Sequence, residues 1–220
     1  MSREGRPLGR DHFDAWTNGM GTLAARWMSA CAGGAIASGI AIWLFVLGVA
    51  WLLPSPFDLR SRNLPMGVYG ALIGLVIGGG QALALGAYLR NRIVWTLGTA
   101  VAAGAGFQLG IAVANRVDAF VPGYFGAIIL LGALVGIAQS VLLQNDRRAT
   151  LRWTLWSAFA VPAGILCGTA AVFLFRVPHP GTWLGAVSAF ALLPAVIGLA
   201  IGALTVQPLT KILAGRETRA

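Results

Sequence analysis

Charged residues along this chain are bunched, and between the bunches lie six stretches free of Asp, Glu, Lys and Arg, roughly 28–53, 67–89, 93–114, 121–143, 153–175 and 182–206. Each reaches the roughly 20 residues that a helix needs to cross about 30 Å of hydrocarbon. The stretches are apolar throughout, without the alternation of a half-exposed strand. Backbone amides in lipid must find partners within the segment, so separate apolar runs of this length predict helices. The pattern therefore predicts an all-α, six-helix integral membrane bundle. It divides the chain into a cytoplasmic N-terminal tail (1–27), a six-span domain (28–206) and a cytoplasmic C-terminal tail (207–220).

Composition narrows the class further. Of the 220 residues, 57% are apolar or aromatic and 10% are charged, with 30 glycines and a mean hydropathy of +0.77. An ordinary soluble domain carries about 25% charged residues, which excludes a water-soluble globule. Six alternating spans put twelve basic residues on the side of the termini: Arg3, Arg6, Arg10, Arg26, Arg90, Arg92, Arg147, Arg148, Arg152, Lys211, Arg216 and Arg219. Four lie opposite, Arg60, Arg62, Arg116 and Arg176. The positive-inside rule then predicts both termini in the cytoplasm of a bacterial inner membrane. This bias accounts for most of the net charge of +9. No basic patch with interleaved base readers is present, so membrane lipids, not nucleic acid, are the expected partners of these arginines.

Aromatic positions fit the same map. Trp27, Tyr88, Trp95, Trp153 and Trp156 fall at expected inner ends, and Trp51, Tyr69, Tyr124 and Trp183 at outer ends, where such rings prefer the headgroup level. Trp43 falls near mid-span. The first span starts too late and runs too long for a cleaved signal. Met28-Ser29-Ala30-Cys31 precedes its apolar core, which is the wrong order for a lipoprotein site. Upstream, Phe13, Trp16, Met20 and Leu23 recur at helical spacing that suits a short interfacial helix, interrupted by Gly19 and Gly21.

A shift of 58 positions superposes part of the chain on itself. It carries Gly74, Gly78, Gln81, Leu85 and Arg90 onto Gly132, Gly136, Gln139, Leu143 and Arg148. It continues with Trp95-Thr96-Leu97 onto Trp153-Thr154-Leu155, and Gly106 and Gly110 onto Gly164 and Gly168. Gln, Arg and Trp in register point to a tandem duplicated two-helix hairpin, about 67–114 and 125–172. Each unit holds two spans, so the copies are related by an axis along the membrane normal, the parallel kind of repeat. No third copy is evident in the first or last span.

Glycines four apart place two missing side chains on one helical face and let backbones approach closely. Gln81 and Gln139 follow on nearly the same face. A glutamine amide facing lipid is costly, so both are expected to hydrogen-bond a neighbouring helix or to line a shared polar pocket. Gly74-x3-Gly78-x2-Gln81-x3-Leu85, with Arg90, Trp95 and Gly106-x3-Gly110, resembles a widespread group of uncharacterised bacterial multi-span proteins that repeat such a hairpin. The resemblance covers about residues 67–172. It implies a helical membrane fold and carries no activity.

What the spans lack is informative. None holds an ionisable residue of the Asp, Glu, Lys, Arg or His type, which argues against proton relays and ion-coupled transport. His12 and His179 fall on opposite sides, so no metal pair or catalytic dyad is expected. No catalytic residue, cofactor or metal site is assigned. Cys31 and Cys167 differ in expected depth by about 15 Å at ~1.5 Å per residue, too far for a disulfide. Pro162 and Pro194 fall inside expected spans, as kinks or hinges.

Three readings stay open. A non-enzymatic scaffold or accessory subunit would pack its small-residue faces against a second copy or a membrane-protein partner. A channel or carrier for a small neutral or lipid-like molecule would line its route with Gln81, Gln108, Gln139 and Thr96, with Thr154 as the repeat equivalent of Thr96. An interfacial enzyme would need Asp58 or Asp118 to converge with Arg176 or His179, among outer-loop residues that include Arg60, Arg62, Asn115 and Arg116.

Overall fold

A computed structural model describes residues 10–52, 63–116, 120–143, 147–174, 185 and 191–217. The regular structure of these residues is helical: α1 (Arg10–Leu52), α2 (Asn63–Leu85), α3 (Arg92–Ala114), α4 (Phe120–Leu142), α5 (Arg147–Leu174) and α6 (Leu193–Glu217). Five segments are long and apolar enough to cross a membrane: Gly67–Leu85, Arg92–Ala114, Phe125–Leu142, Arg147–Ala171 and Leu193–Ala214. α1 carries the first expected span, and its 43 residues form one unbroken helix that includes Gly19 and Gly21.

The helices form a ring. Each packs against its neighbours in sequence, and α6 closes the circle on α1. Neighbours run antiparallel, as the glycine contacts between α2 and α3 show. Gly67 faces Gln108, Gly70 faces Phe107, Gly74 faces Ala103 and Gly78 faces Thr96. Local signals set the α2–α3 connection. Gly86, with φ of 40°, occupies a region that side chains avoid. It opens a short 3-10 turn, Gly86–Tyr88, after α2. Asn91 then caps α3, its side-chain oxygen accepting from the amides of Ile93 at 2.9 Å and Val94 at 3.2 Å.

Exposed large apolar side chains, such as Leu83, Ile93, Val101, Val141, Phe159 and Phe173, cover the outside of the ring, as lipid-facing surfaces require. The core gathers at one end, where Leu23, Trp27, Leu85, Trp95, Leu143, Trp153, Leu209 and Leu213 pack together.

Two expectations need correction. Residues 207–217 are not a tail but the last turns of α6, with Leu209 and Leu213 buried in the core. Lys211 interrupts the apolar run yet is exposed, while Leu209, Ile212 and Leu213 sit on the inward face of the same helix. Leu209→Ala is accordingly expected to cost about 2–5 kcal/mol, measured as a drop in thermal or denaturant stability. A tail residue would cost almost nothing.

The second correction concerns the tryptophans. Trp27, Trp95 and Trp153 do not face the headgroup level, since each is no more than 1% exposed and packs into the buried core cluster. Tyr88 and Trp156 do face outward. Pro194 lies within the candidate span Leu193–Ala214, directly after a π-helical turn at residues 191 and 192. Pro162 does lie inside α5, and Pro208 lies inside α6.

Candidate functional site

The ring has a hollow centre, a cavity of about 320 Å³ to which all six helices contribute. Its walls are mostly aliphatic: Ala35 and Ile42 from α1, Ile73 and Ile77 from α2, Leu131 and Val135 from α4, Val161 and Ile165 from α5, and Ile197 and Ile201 from α6. Ala103 and Phe107 complete the wall from α3. Trp27 and Trp153 line it at the core end, with Gln81, Thr99, Gln139, Ser157 and Thr205 forming a polar layer beside them. No lining residue carries an ionisable group.

The layer is tied across the ring. The Gln139 side-chain amide donates to Gln81 Oε1 at 2.8 Å and to Thr99 Oγ1 at 3.3 Å. Gln81 Nε2 approaches Cys31 Sγ at 3.7 Å, a weak acceptor. Trp27 Nε1 donates to Thr205 Oγ1 at 3.0 Å, and that hydroxyl donates to the Ile201 carbonyl at 2.7 Å. Trp27 and Trp153 meet edge to face with ring centroids 6.2 Å apart. The Trp95 and Trp153 indole N–H groups and the Thr154 hydroxyl are buried and have no partner among the described residues.

Close backbone approach places this layer, and the approach repeats three times around the ring. A Cβ on Gly74 would lie 2.7 Å from the Thr99 carbonyl oxygen and 2.8 Å from Ala100 Cα. On Gly132 it would lie 2.5 Å from the Ser157 carbonyl oxygen and 3.0 Å from Ala158 Cα. On Gly198 it would meet the Cys31 carbonyl oxygen and Ala32 Cα in the same way. One turn on, Gly78 faces Thr99 Cβ, Gly136 faces Ser157 Cβ and Gly202 faces Cys31 Cβ. Three residues further stand Gln81, Gln139 and Thr205, and four beyond them the buried Leu85, Leu143 and Leu209. Trp95, Trp153 and Trp27 each precede the facing residue, Thr99, Ser157 or Cys31, by four positions.

The site residues expected from sequence separate into two groups. Gln81, Gln139, Gly74 and Gly132 line the cavity. Gly78, Gly106, Gly110, Gly136, Gly164 and Gly168 are spent on helix contacts within the chain: Gly106 on Leu131, Gly110 on Ala127, Gly164 on Ile201 and Gly168 on Ile197. Gln108 lies off the cavity, against Gly67. Thr96 binds its own helix through the Arg92 carbonyl at 2.9 Å, and Thr154 packs beside Gly136.

Trp27, Thr99, Ser157 and Thr205 were not singled out as site residues. The four-residue offset from each Trp to a small residue, and the Gly-x3-Gly-x2-Thr of α6, were the signals available.

Of the outer-loop residues, Asn115 and Arg116 are exposed at the end of α3, while Asp58, Arg60, Arg62, Asp118, Arg176 and His179 lie outside the described residues. Among the described residues no group of three His, Cys, Asp or Glu could hold a metal. Cys31 is buried and Cys167 exposed, both as free thiols.

Fold and cavity define a helical multi-pass membrane class, with an internal apolar chamber floored by amides. No protein-family model, curated protein or solved structure matches the chain.

Proposed function

We propose that this protein is a membrane-embedded binding protein or carrier for a small neutral, lipid-like molecule, held at the centre of a ring of six spanning helices. The observation that carries the reading is the cavity of about 320 Å³, apolar on its walls and uncharged throughout its lining. Ligand chambers of roughly 300–1,000 Å³ combine apolar walls with a few placed polar groups. An ionised ligand would lose its hydration without gaining a counter-charge, at a cost of several kcal/mol or more. A neutral molecule with one polar end fits both parts of the chamber.

In this reading the hairpin of α2 and α3 and that of α4 and α5 are copies of one unit. α6 and α1 supply a third, split between the two ends of the chain. In the same reading the end that holds the Trp cluster faces the cytoplasm of a bacterial inner membrane, with both termini inside and anionic lipids around it, and the excess of basic residues on that side supports it. A scaffold built from small-residue faces draws less support, because the glycines of those faces are already occupied by the chain's own helices.

The test is uptake by the purified, delipidated protein of a long-chain methyl ester compared with the free acid of equal length. The ester is expected to bind and the ionised acid to be rejected by at least about tenfold. Ester binding is expected to stay flat between about pH 5 and 8, where no lining group titrates. Preference for the ionised acid, or failure of both, would count against the reading.

A further inference from the structure

Six seams join the helices of the ring. Three of them, α2–α3, α4–α5 and α6–α1, are drawn together at Gly74, Gly132 and Gly198. The other three alternate with these, and two of them close on further glycines. In α3–α4 a Cβ on Gly106 would lie 2.9 Å from Leu131 Cα, and one on Gly110 would lie 2.9 Å from Ala127 Cβ. In α5–α6 a Cβ on Gly164 would lie 3.0 Å from the Ile197 carbonyl oxygen, and one on Gly168 would lie 2.7 Å from Leu193 Cδ1. These glycines stand eleven and fifteen residues after Trp95 and Trp153. The same steps from Trp27 reach Ser38 and Ile42 of α1. Across the α1–α2 seam Ser38 meets Ile73, which precedes Gly74 as Leu131 precedes Gly132 and Ile197 precedes Gly198.

Serine and isoleucine cannot let backbones approach as glycine does, so α1–α2 is spread where the two corresponding seams are closed. The spreading is confined to one half. Toward the Trp cluster the seam is tight, since a Cβ on Gly34 would lie 3.0 Å from Ile77 Cα and one on Gly80 3.2 Å from the Ala30 carbonyl oxygen. Away from it the polar tie is weak. The Ser38 hydroxyl has one proton, which it donates to the Gly34 carbonyl of its own helix at 2.7 Å, and the Ile73 carbonyl lies 3.4 Å off. Ser38, Gly39, Ile42 and Ile73 all line the chamber at this place. At the opposite end the chamber meets the packed core, where Trp27, Leu85, Leu143 and Leu209 are each no more than 1% exposed.

We infer that the α1–α2 seam, in its half away from the Trp cluster, is the entrance through which the lipid-like ligand passes sideways between the bilayer and the chamber. The inference rests on the reading of the cavity as a ligand site. Such a route keeps an apolar molecule out of water along its whole length, because Ile42 and Ile73 flank it and no lining residue is charged.

The test uses a chain carrying Cys31→Ala, Cys167→Ala, Ser38→Cys and Ile73→Cys, loaded with a long-chain methyl ester. The cysteines are then bridged by oxidation or, where the sulfurs do not meet, by bis-maleimidoethane, and transfer of the ester to added phosphatidylcholine vesicles is timed. The bridged protein is expected to hold the ester at least about tenfold longer than the unbridged sample of the same chain. Bridging Gly110→Cys to Ala127→Cys across α3–α4 is expected to leave the transfer time as it was. Equal times with and without the α1–α2 bridge, or equal slowing by the α3–α4 bridge, overturn the entrance but leave the chamber standing. Failure of the unaltered protein to take up the ester overturns both. Should the double-cysteine chain fail to fold, Ile42→Ala decides. A wider entrance speeds uptake and release alike, whereas a lost wall contact speeds release only, and unchanged uptake overturns the inference.

Discussion

Gly198→Leu is expected to destabilise the protein as severely as Gly74→Leu or Gly132→Leu, although Gly198 lies outside the stretch that superposes on itself at an offset of 58. A Cβ at Gly74 or Gly132 would fall within 2.5–2.8 Å of the facing backbone, and one at Gly198 would meet the Cys31 carbonyl just as closely. Backbone cannot swing aside as a flexible side chain can, so the two helices must separate. Overpacking costs about 1–3 kcal/mol where side chains yield, and more where they cannot. The expected result is loss of the folded monomer, or a fall in unfolding temperature large enough to read in detergent. Gly33 and Gly126 provide the comparison, since nothing lies within 4 Å of a Cβ at either. Leu there is expected to be nearly neutral. A mild Gly198→Leu alongside severe Gly74→Leu and Gly132→Leu would show that the α6–α1 contact is not equivalent to the other two.

Val135→Trp is expected to abolish ligand retention without loss of stability. Val135 lines the cavity from α4 and is only partly buried, so a larger ring has space to enter. Filling an existing void adds dispersion contacts, whereas enlarging a close-packed site creates strain. Binding is expected to fall by at least about tenfold, a loss of roughly 1.4 kcal/mol or more. The checks are probe uptake and thermal unfolding on the same sample. Full uptake by the filled variant would place the ligand elsewhere. Val161→Phe, on the neighbouring wall formed by α5, offers an independent version of the same experiment.

Much of the architecture was legible because charge runs punctuate it. The expected spans at 67–89, 93–114, 121–143 and 153–175 match α2 to α5 to within a few residues at most ends. The end of α6 was not legible, because a single exposed lysine breaks an apolar run without breaking a helix. The tryptophans misled for a related reason. An indole at a span end suits headgroups, but a central layer at the same depth suits it equally, and only packing decides which way it points.

The third set of close helix contacts was hidden by chain order. Its glycine pair and leucine come from the last helix and its tryptophan from the first, and Thr205 stands where the other two sets have Gln. A linear shift cannot align halves that lie at opposite ends of the sequence. The glutamines were legible as residues that must avoid lipid, and their mutual hydrogen bond satisfies that demand. The cavity itself was not, because Ile73, Leu131 and Ile197 have the same chemistry as the leucines that face lipid. Which isoleucine sees a chamber and which sees acyl chains depends on ring closure, and no local pattern encodes that.

The central claim is that the chamber holds a neutral, apolar molecule. Its most direct test is native mass spectrometry of the protein released gently from the membrane in which it is made, with the mass of any retained molecule read after dissociation. The account predicts one small neutral, lipid-like molecule per chain, absent from Val135→Trp. An empty chain, or a retained ionic lipid that Val135→Trp keeps in full, would contradict it.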